Sequence, residues 1–288
     1  MPRIPDELLN SIVYLFKDEA SALSGSGGGG TGFLVRFQED GFEHTYVVSN
    51  MHVVGNGYTT LRLNTAAGAV DAISIPAGAW INHPNADDVS VAPMELEMPS
   101  GWQASGLYWD SVCPTDFRLR ELNVGIGDDV FMLGRFVGHS GIQQNQPLAR
   151  FGSLAMMDGG KVLDGREMLI DAYLVEMHSL PGFSGSPVFI HIQGGSQRSP
   201  KTIMPFFTET IGLLGIDTGH KRMTHVVRDR ATDQPSEPPQ YVRENSGVAI
   251  VAPYYKIREV LEGDKLTKQR KDKAKALTED SEMAESDA

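Results

Sequence analysis

Ser184 lies in Pro181-Gly182-Phe183-Ser184-Gly185-Ser186-Pro187-Val188, where glycines flank the serine and a strand-forming run follows. Glycine permits the tight turn on which a nucleophilic serine must sit, with backbone N–H groups aimed at the carbonyl under attack. His52 ends the apolar run Val47-Val48-Ser49-Asn50-Met51-His52-Val53-Val54. Asp88 directly precedes a β-run in His83-Pro84-Asn85-Ala86-Asp87-Asp88-Val89-Ser90-Val91-Ala92. Singly, each has an ordinary explanation: a Ser/Gly loop, a packed histidine, a turn acid. Together they make a complete relay. A weak hydroxyl needs a base to take its proton, and the imidazole needs a carboxylate to fix its tautomer and offset its charge. The order His52, Asp88, Ser184 puts base and acid in the first half and nucleophile in the second, so the site would lie in a cleft between two β units.

Other local patterns carry less chemistry. Asp217-Thr218-Gly219 matches the aspartic-peptidase triplet, but that reaction shares a proton between two carboxylates and the chain has one copy. Gly25-x-Gly27-x-x-Gly30 fits a dinucleotide fingerprint only because it lies in a glycine run. It leads into a strand rather than a helix, and no Gly-Lys-[Ser/Thr] occurs, so phosphate cradling is not expected. His220 and His225 near Asp217 could suggest a metal site but read as a solvated loop. No metal and no organic cofactor is implied. Cys113, far from any histidine motif, reads as structural.

The elements that must hold these residues read as short strands. Apolar, β-branched runs predict strands over Ser11–Phe16, Gly32–Phe37, His44–Asn50, Thr59–Asn64, Val70–Ile75, Val89–Pro93, Val130–Gly134, Met168–Met177, Val188–Ile192, Ile211–Ile216 and Val248–Val251. Gln38-Glu39-Asp40-Gly41 is a hairpin signal. The clearest helix is Tyr254–Leu261, with Ile257, Val260 and Leu261 on one face. The class is therefore all-β, barrel or sandwich. Ser24–Gly32 reads as a flexible connector and Gly219–Ser246 as a charged loop. The organisation expected is an N-terminal β-barrel over 9–96, a linker over 97–125, a C-terminal β-barrel with its helix over 126–263, and a disordered charged tail over 264–288.

Composition narrows the setting. With 288 residues and 41 % apolar content the chain can build its core without staples. Its single cysteine excludes an intrachain disulfide and four-cysteine zinc sites. A net charge of −12 argues against a general nucleic-acid or anionic-membrane binder. No segment approaches a transmembrane helix and the early residues lack a signal-peptide pattern, so a soluble, cytoplasmic protein is expected.

At these residues the chain resembles the trypsin-like (chymotrypsin-fold) serine peptidases, bacterial trypsin-like peptidase domains in particular. Gly30-Thr31-Gly32-Phe33 is similar to the family's early Gly-x-Gly-Phe strand, and Ser49-Asn50-Met51-His52 to its histidine motif. Asp88-Val89-Ser90-Val91 is similar to Asp-[Ile/Val]-Ala-Leu. Gly182-Phe183-Ser184-Gly185-Ser186-Pro187-Val188 is similar to the serine motif. The resemblance covers about residues 11–262. It implies two antiparallel six-stranded β-barrels, a C-terminal helix and a polypeptide substrate. It also implies a serine endopeptidase working through an acyl-enzyme. By the same resemblance Ser184 is the nucleophile, His52 the base, and Asp88, rather than Asp87, the orienting acid. The N–H groups of Gly182 and Ser184 form the oxyanion hole. His178, Ser179 and Thr218 lie about the primary pocket, where a His178 floor would favour an acidic or polar side chain. The acidic net charge weighs against such substrates.

Two departures matter. Phe183 stands where secreted members carry the Asp that pairs with a freed N-terminus, and the disulfides of those members are missing. Control by N-terminal cleavage is not expected, which leaves room for an activating partner, peptide or oligomer. The alternative is a catalytically silent or partner-activated protease-fold binding module.

Overall fold

The run Ile12-Val13-Tyr14-Leu15-Phe16 is buried at every position, as a strand covered on both faces must be. Its neighbours form because the same logic repeats along the chain. The computed structural model describes residues 3–94, 101–113, 116–137, 141, 143–157, 161–163, 168–193, 197–199, 202–203 and 210–286. In the first half the strands are β1 (Ile12–Phe16), β2 (Gly30–Glu39), β3 (Phe42–Ser49), β4 (Thr60–Asn64), β5 (Val70–Ser74), β6 (Ile81–Asn82), β7 (Ser90–Met94) and β8 (Leu107–Tyr108). The second half holds β9 (Asp129–Gly134), β10 (Leu148–Met156), β11 (Lys161–Leu163), β12 (Leu169–Asp171), β13 (Tyr173–Glu176) and β14 (Pro187–Ile192). It ends with β15 (Gln197–Ser199), β16 (Thr202–Ile203), β17 (Thr210–Val226) and β18 (Tyr241–Pro253).

β2 and β3 are joined by Asp40-Gly41 at φ 52° and 83°, with Glu39 opposite Phe42. Both turn residues therefore adopt the left-handed backbone of a two-residue hairpin turn that matches the strand twist. The second half closes as a six-stranded barrel, β10-β13-β18-β17-β14-β9. The first half is a sheet in the order β5-β4-β1-β2-β3-β7-β6, with β8 added parallel to β2. Its arrangement is barrel-like, but among the described residues no ladder joins β5 to β6. With only two residues, β6 offers little edge to pair.

Strand alternation divides the core three ways. In β9, Phe131 and Leu133 face a core shared by both halves, whereas Val130 and Met132 face the barrel interior. In β1, Tyr14 and Phe16 join the shared core, while Val13 and Leu15 fill the first sheet's own interior. The helix Tyr254–Leu261 forms as expected and adds Tyr254, Ile257, Val260 and Leu261 to the shared core. A continuous apolar layer thus fixes one half against the other, which a site split between them requires.

Four expectations from sequence are corrected. Much of Gly219–Ser246 is strand, not loop. β17 and β18 run on past the barrel as a two-stranded ribbon, paired from Arg222–Asn245 out to Val226–Tyr241. Gly25–Gly29 is a packed turn rather than a flexible connector. A Cβ on Gly28 would lie 2.5 Å from the Arg135 guanidinium, and one on Gly29 2.2 Å from the Tyr58 ring. The linker carries structure of its own, β8 and the helix Trp109–Val112, with Trp109 buried. The tail is helical over Asp264–Ser286, and its start is anchored. Leu266 is buried in the shared core, and Arg270 donates to Glu39, the Tyr46 hydroxyl and the Leu261 carbonyl.

Candidate active site

Pairing of β3 with β7 sets Ser49 opposite Ser90, which carries the next residues, Asn50 to His52, past Asp88. The Asn50 amide donates to the Asp88 carbonyl at 2.8 Å. Asp88 then grips His52 twice: Oδ1 accepts the His52 backbone N–H at 2.9 Å, and Oδ2 lies 2.6 Å from Nδ1. A carboxylate on Nδ1 keeps the proton there and leaves Nε2 free to accept another. The acid is nearly covered while the imidazole stays 41 % exposed, so the ring is held from behind and open in front.

Asp87, one residue earlier, points elsewhere. Its Oδ2 lies 2.9 Å from the buried Lys256 ammonium and 3.2 Å from His83 Nδ1, and His83 Nε2 stands 2.6 Å from Glu259. Burial alone would lower the Lys256 pKa, but Asp87, with Glu259 and Tyr255, raises it. This cluster ties the 83–88 turn to the C-terminal helix.

The serine loop is held without the acid that secreted members use. Phe183 is wholly buried in the barrel core, so the residue before the serine acts as a hydrophobic anchor. Gly182 and Gly185 have φ of 100° and 89°. A Cβ at Gly182 would lie 2.7 Å from the Arg135 carbonyl, and one at Gly185 2.0 Å from that of Thr31. Thr31 is the buried hub: its hydroxyl donates to the Gly182 carbonyl at 2.7 Å and accepts the Arg135 N–H at 2.9 Å. Its own N–H donates to the Ser184 carbonyl at 2.8 Å. The N–H groups of Gly182 and Ser184 donate to no protein group among the described residues. Val137 N–H meets the Pro181 carbonyl at 3.4 Å, which directs the Gly182 N–H of that trans peptide to the opposite side.

His52, Asp88 and Ser184 line one cavity of about 730 Å³, together with Ser179, Thr218 and residues of the ribbon. No hydrogen bond joins the Ser184 hydroxyl to His52 among the described residues; such contacts are often looser without substrate. His178 is exposed beside Gly247 rather than on the cavity wall. Ser179 is buried, and its hydroxyl donates to Asp217 Oδ2 at 2.7 Å. Thr218 donates to the Ile250 carbonyl at 3.1 Å.

Sequence reasoning named Asp217 but gave it no role beside the serine loop. It is fully buried, and Oδ1 has no hydrogen-bond partner. Its backbone is knitted into the serine loop, for Gly185 N–H donates to its carbonyl and its own N–H donates to the Ser186 carbonyl, both at 2.9 Å. Burial pushes its pKa up to about 8; Ser179 and the Gly219 amide pull it back, and Asp88 adds to the rise. Thr31 was likewise given no role, although a hydroxyl between two glycines was its visible signal. Cys113 is buried and, chiefly through burial, its thiol is pushed up to about 11. Among the described residues no group of three or more His, Cys, Asp or Glu could hold a metal ion. No described helix is long and apolar enough to cross a membrane.

Barrel, barrel-like sheet, C-terminal helix and cleft together define the trypsin-like serine protease fold. The apo MamO protease domain from Magnetospirillum magneticum matches at 14 % identity and a TM-score of 0.51, over 88 % of this chain and 96 % of that one. Deg5 matches at 16 % identity and a TM-score of 0.41, over 73 % and 79 %. An inactive serine-to-alanine mutant of Rv3671c from M. tuberculosis matches at 14 % and 0.43, over 88 % and 86 %. No family model matches the chain, and no curated protein does. At these identities the likeness is one of fold.

Proposed function

We propose that the protein is a serine endopeptidase that cleaves peptide bonds through an acyl-enzyme. The observation that carries this reading is the two-point hold of Asp88 on His52 in the cavity that Ser184 also lines. Ser184 Oγ attacks the scissile carbonyl and passes its proton to His52 Nε2. Asp88 stabilises the resulting imidazolium from Nδ1. The carbonyl oxygen, now negative, is met by the N–H groups of Gly182 and Ser184, each such donor being worth about 10²–10³-fold in rate. His52 returns the proton to the leaving amine, and water releases the acyl group by the same route. Ser179 and Thr218, which line the cavity, are proposed to flank the side chain that precedes the cleaved bond, whereas His178 lies off the cavity wall. The lone thiol suits a reducing, cytoplasmic setting.

A second reading has its own support: with no hydrogen bond between Ser184 and His52, a protein that needs a partner or oligomer to align the pair also fits. Fluorophosphonate labelling of the purified protein, mapped by mass spectrometry, separates the two. Labelling at Ser184, lost in Ser184→Ala, is expected. Labelling elsewhere, or none with or without a peptide ligand, would sink the enzyme reading.

A further inference from the structure

The cleft has a charge opposite to that of the molecule. The chain carries −12 overall, yet among the described residues the charged side chains lining the cleft beyond His52 and Asp88 are Lys221, Arg222 and Arg243, with His220 beside them. Asp88, the acid on that lining, is engaged by His52.

The ribbon explains how the cations gather. Arg222 pairs with Asn245 and Thr224 with Arg243, and residues two apart share a face. One face of the ribbon therefore presents Arg222, Thr224 and Arg243 to the cleft. Glu244, opposite Met223, falls on the other face, where it lies 3.7 Å from His225. The acid is thus kept away from the cations.

Arg222 and Arg243 are exposed and form no ion pair among the described residues. Lys221 is half-buried, its ammonium resting on the Leu163 carbonyl. The pKa of His220 is lowered by burial first, then by Arg222 and His178. Two guanidiniums on one face of the ribbon, each able to take a carboxylate with two parallel N–H bonds, suit side-chain carboxylates better than a diffuse field would.

We propose that this cationic ribbon face binds acidic side chains flanking the scissile bond, so that the preferred substrates are polypeptides with Glu or Asp near the cleavage point. The inference names the substrate class for the serine-protease reading and rests on it. The acidic body of the protein then has a role. Net repulsion at long range means that an acidic chain gains binding only where cations gather, as they do at the cleft.

The test uses full-length Ser184→Ala protein, so that binding is read without turnover. Fluorescein-labelled decapeptides carrying either three Glu or three Gln are titrated by fluorescence polarisation at low and high salt. The Glu peptide is expected to bind at least about tenfold more tightly than the Gln peptide at low salt, with the gap closing at high salt. Arg222→Gln with Arg243→Gln should remove the preference, and Glu244→Gln should leave it intact. Both arginines are exposed, and circular dichroism checks that the variant folds. Equal binding of the two peptides, no binding of the Glu peptide at 1 mM by order of magnitude, or a preference unchanged by the arginine variant would each overturn the proposal. Fluorophosphonate labelling of the wild type is measured in parallel. Labelling without an acidic preference removes the substrate class and keeps the protease. An acidic preference without labelling keeps the binding cleft and removes the protease.

Discussion

Each half of the molecule sets one acid at the site, Asp88 on the cleft wall and Asp217 buried beneath the serine loop, and the two acids live under opposite conditions. Asp88, from the first sheet, has both oxygens occupied by His52 and sits beside an exposed ring. Asp217, from the barrel, is sealed in, with one oxygen on Ser179 and the other on nothing. An anion is stable where it is hydrogen-bonded and partly wet, and in a carboxyl buried as fully as Asp217 desolvation outweighs the few donors that reach it, so it keeps its proton. The first half therefore supplies charge to the site, whereas the barrel supplies an uncharged support beneath the serine loop. The contrast repeats at Asp87, whose charge goes to Lys256 and thus to the fold rather than the cleft.

The largest effect expected from breaking this contrast is at Asp88. Asp88→Asn keeps the shape but lets His52 adopt the wrong tautomer, and fluorophosphonate labelling or peptide turnover should fall by about 10³–10⁴-fold. Asp87→Asn next door should leave the rate within about tenfold and lower stability instead. Rates that fall equally in the two variants would show that the neighbours are not separated in the way the geometry separates them. Next in size is Lys256→Met. It removes the ammonium from the nearly buried Asp87 and leaves His83 alone between that acid and Glu259, and thermal or urea unfolding should show a loss of about 3–5 kcal/mol. An unchanged midpoint would mean that the cluster is solvated rather than holding the 83–88 turn.

The third test concerns Asp217 and pH. Below the ordinary carboxylate range both folded and unfolded chains hold its proton. From there up to about 8 only the folded chain does, so the unfolded chain binds fewer protons and stability falls as pH rises, by at most about 1.4 kcal/mol per pH unit. Above about 8 the loss levels off. Asp217→Asn cannot ionise, so its stability relative to wild type should improve by about 4 kcal/mol between pH 5 and pH 9. Parallel pH profiles for the two proteins would show that Asp217 is ionised or solvated in the folded state.

The strands of the second barrel and the turn that brings Asp88 to His52 were more legible in the sequence than the rest, for physical reasons. Strands such as Val188–Ile192 and Val130–Gly134 are apolar because the barrel covers both faces, and the serine loop needs glycines where a Cβ would strike backbone. Arg222–Val226 and Tyr241–Asn245 are exposed on both faces, so their pairing rests on main-chain hydrogen bonds and leaves no alternation to read. The tail helix is anchored by two residues, Leu266 and Arg270, too few to stand out in a polar segment. Asp217 stayed hidden because one acid closing an apolar strand looks like the strand's end. That it is buried depends on the serine loop, which comes from another part of the chain.

The smallest effect expected lies where one half supports the other's loop. Thr31 belongs to β2 of the first half, yet its hydroxyl holds Gly182 and Arg135 of the second. Thr31→Val keeps the volume and leaves the Gly182 carbonyl and the Arg135 N–H without partners. The cost to stability should be about 1–3 kcal/mol. Because the Gly182 carbonyl orients the peptide leading into Ser184, labelling of Ser184 should also slow, by about tenfold. Thr31→Ser restores the hydroxyl and should recover most of the rate while leaving a small methyl-sized void. If Thr31→Val labels as fast as wild type, Phe183 and the two glycines set the loop alone, and the barrel positions its own nucleophile without help from the first half.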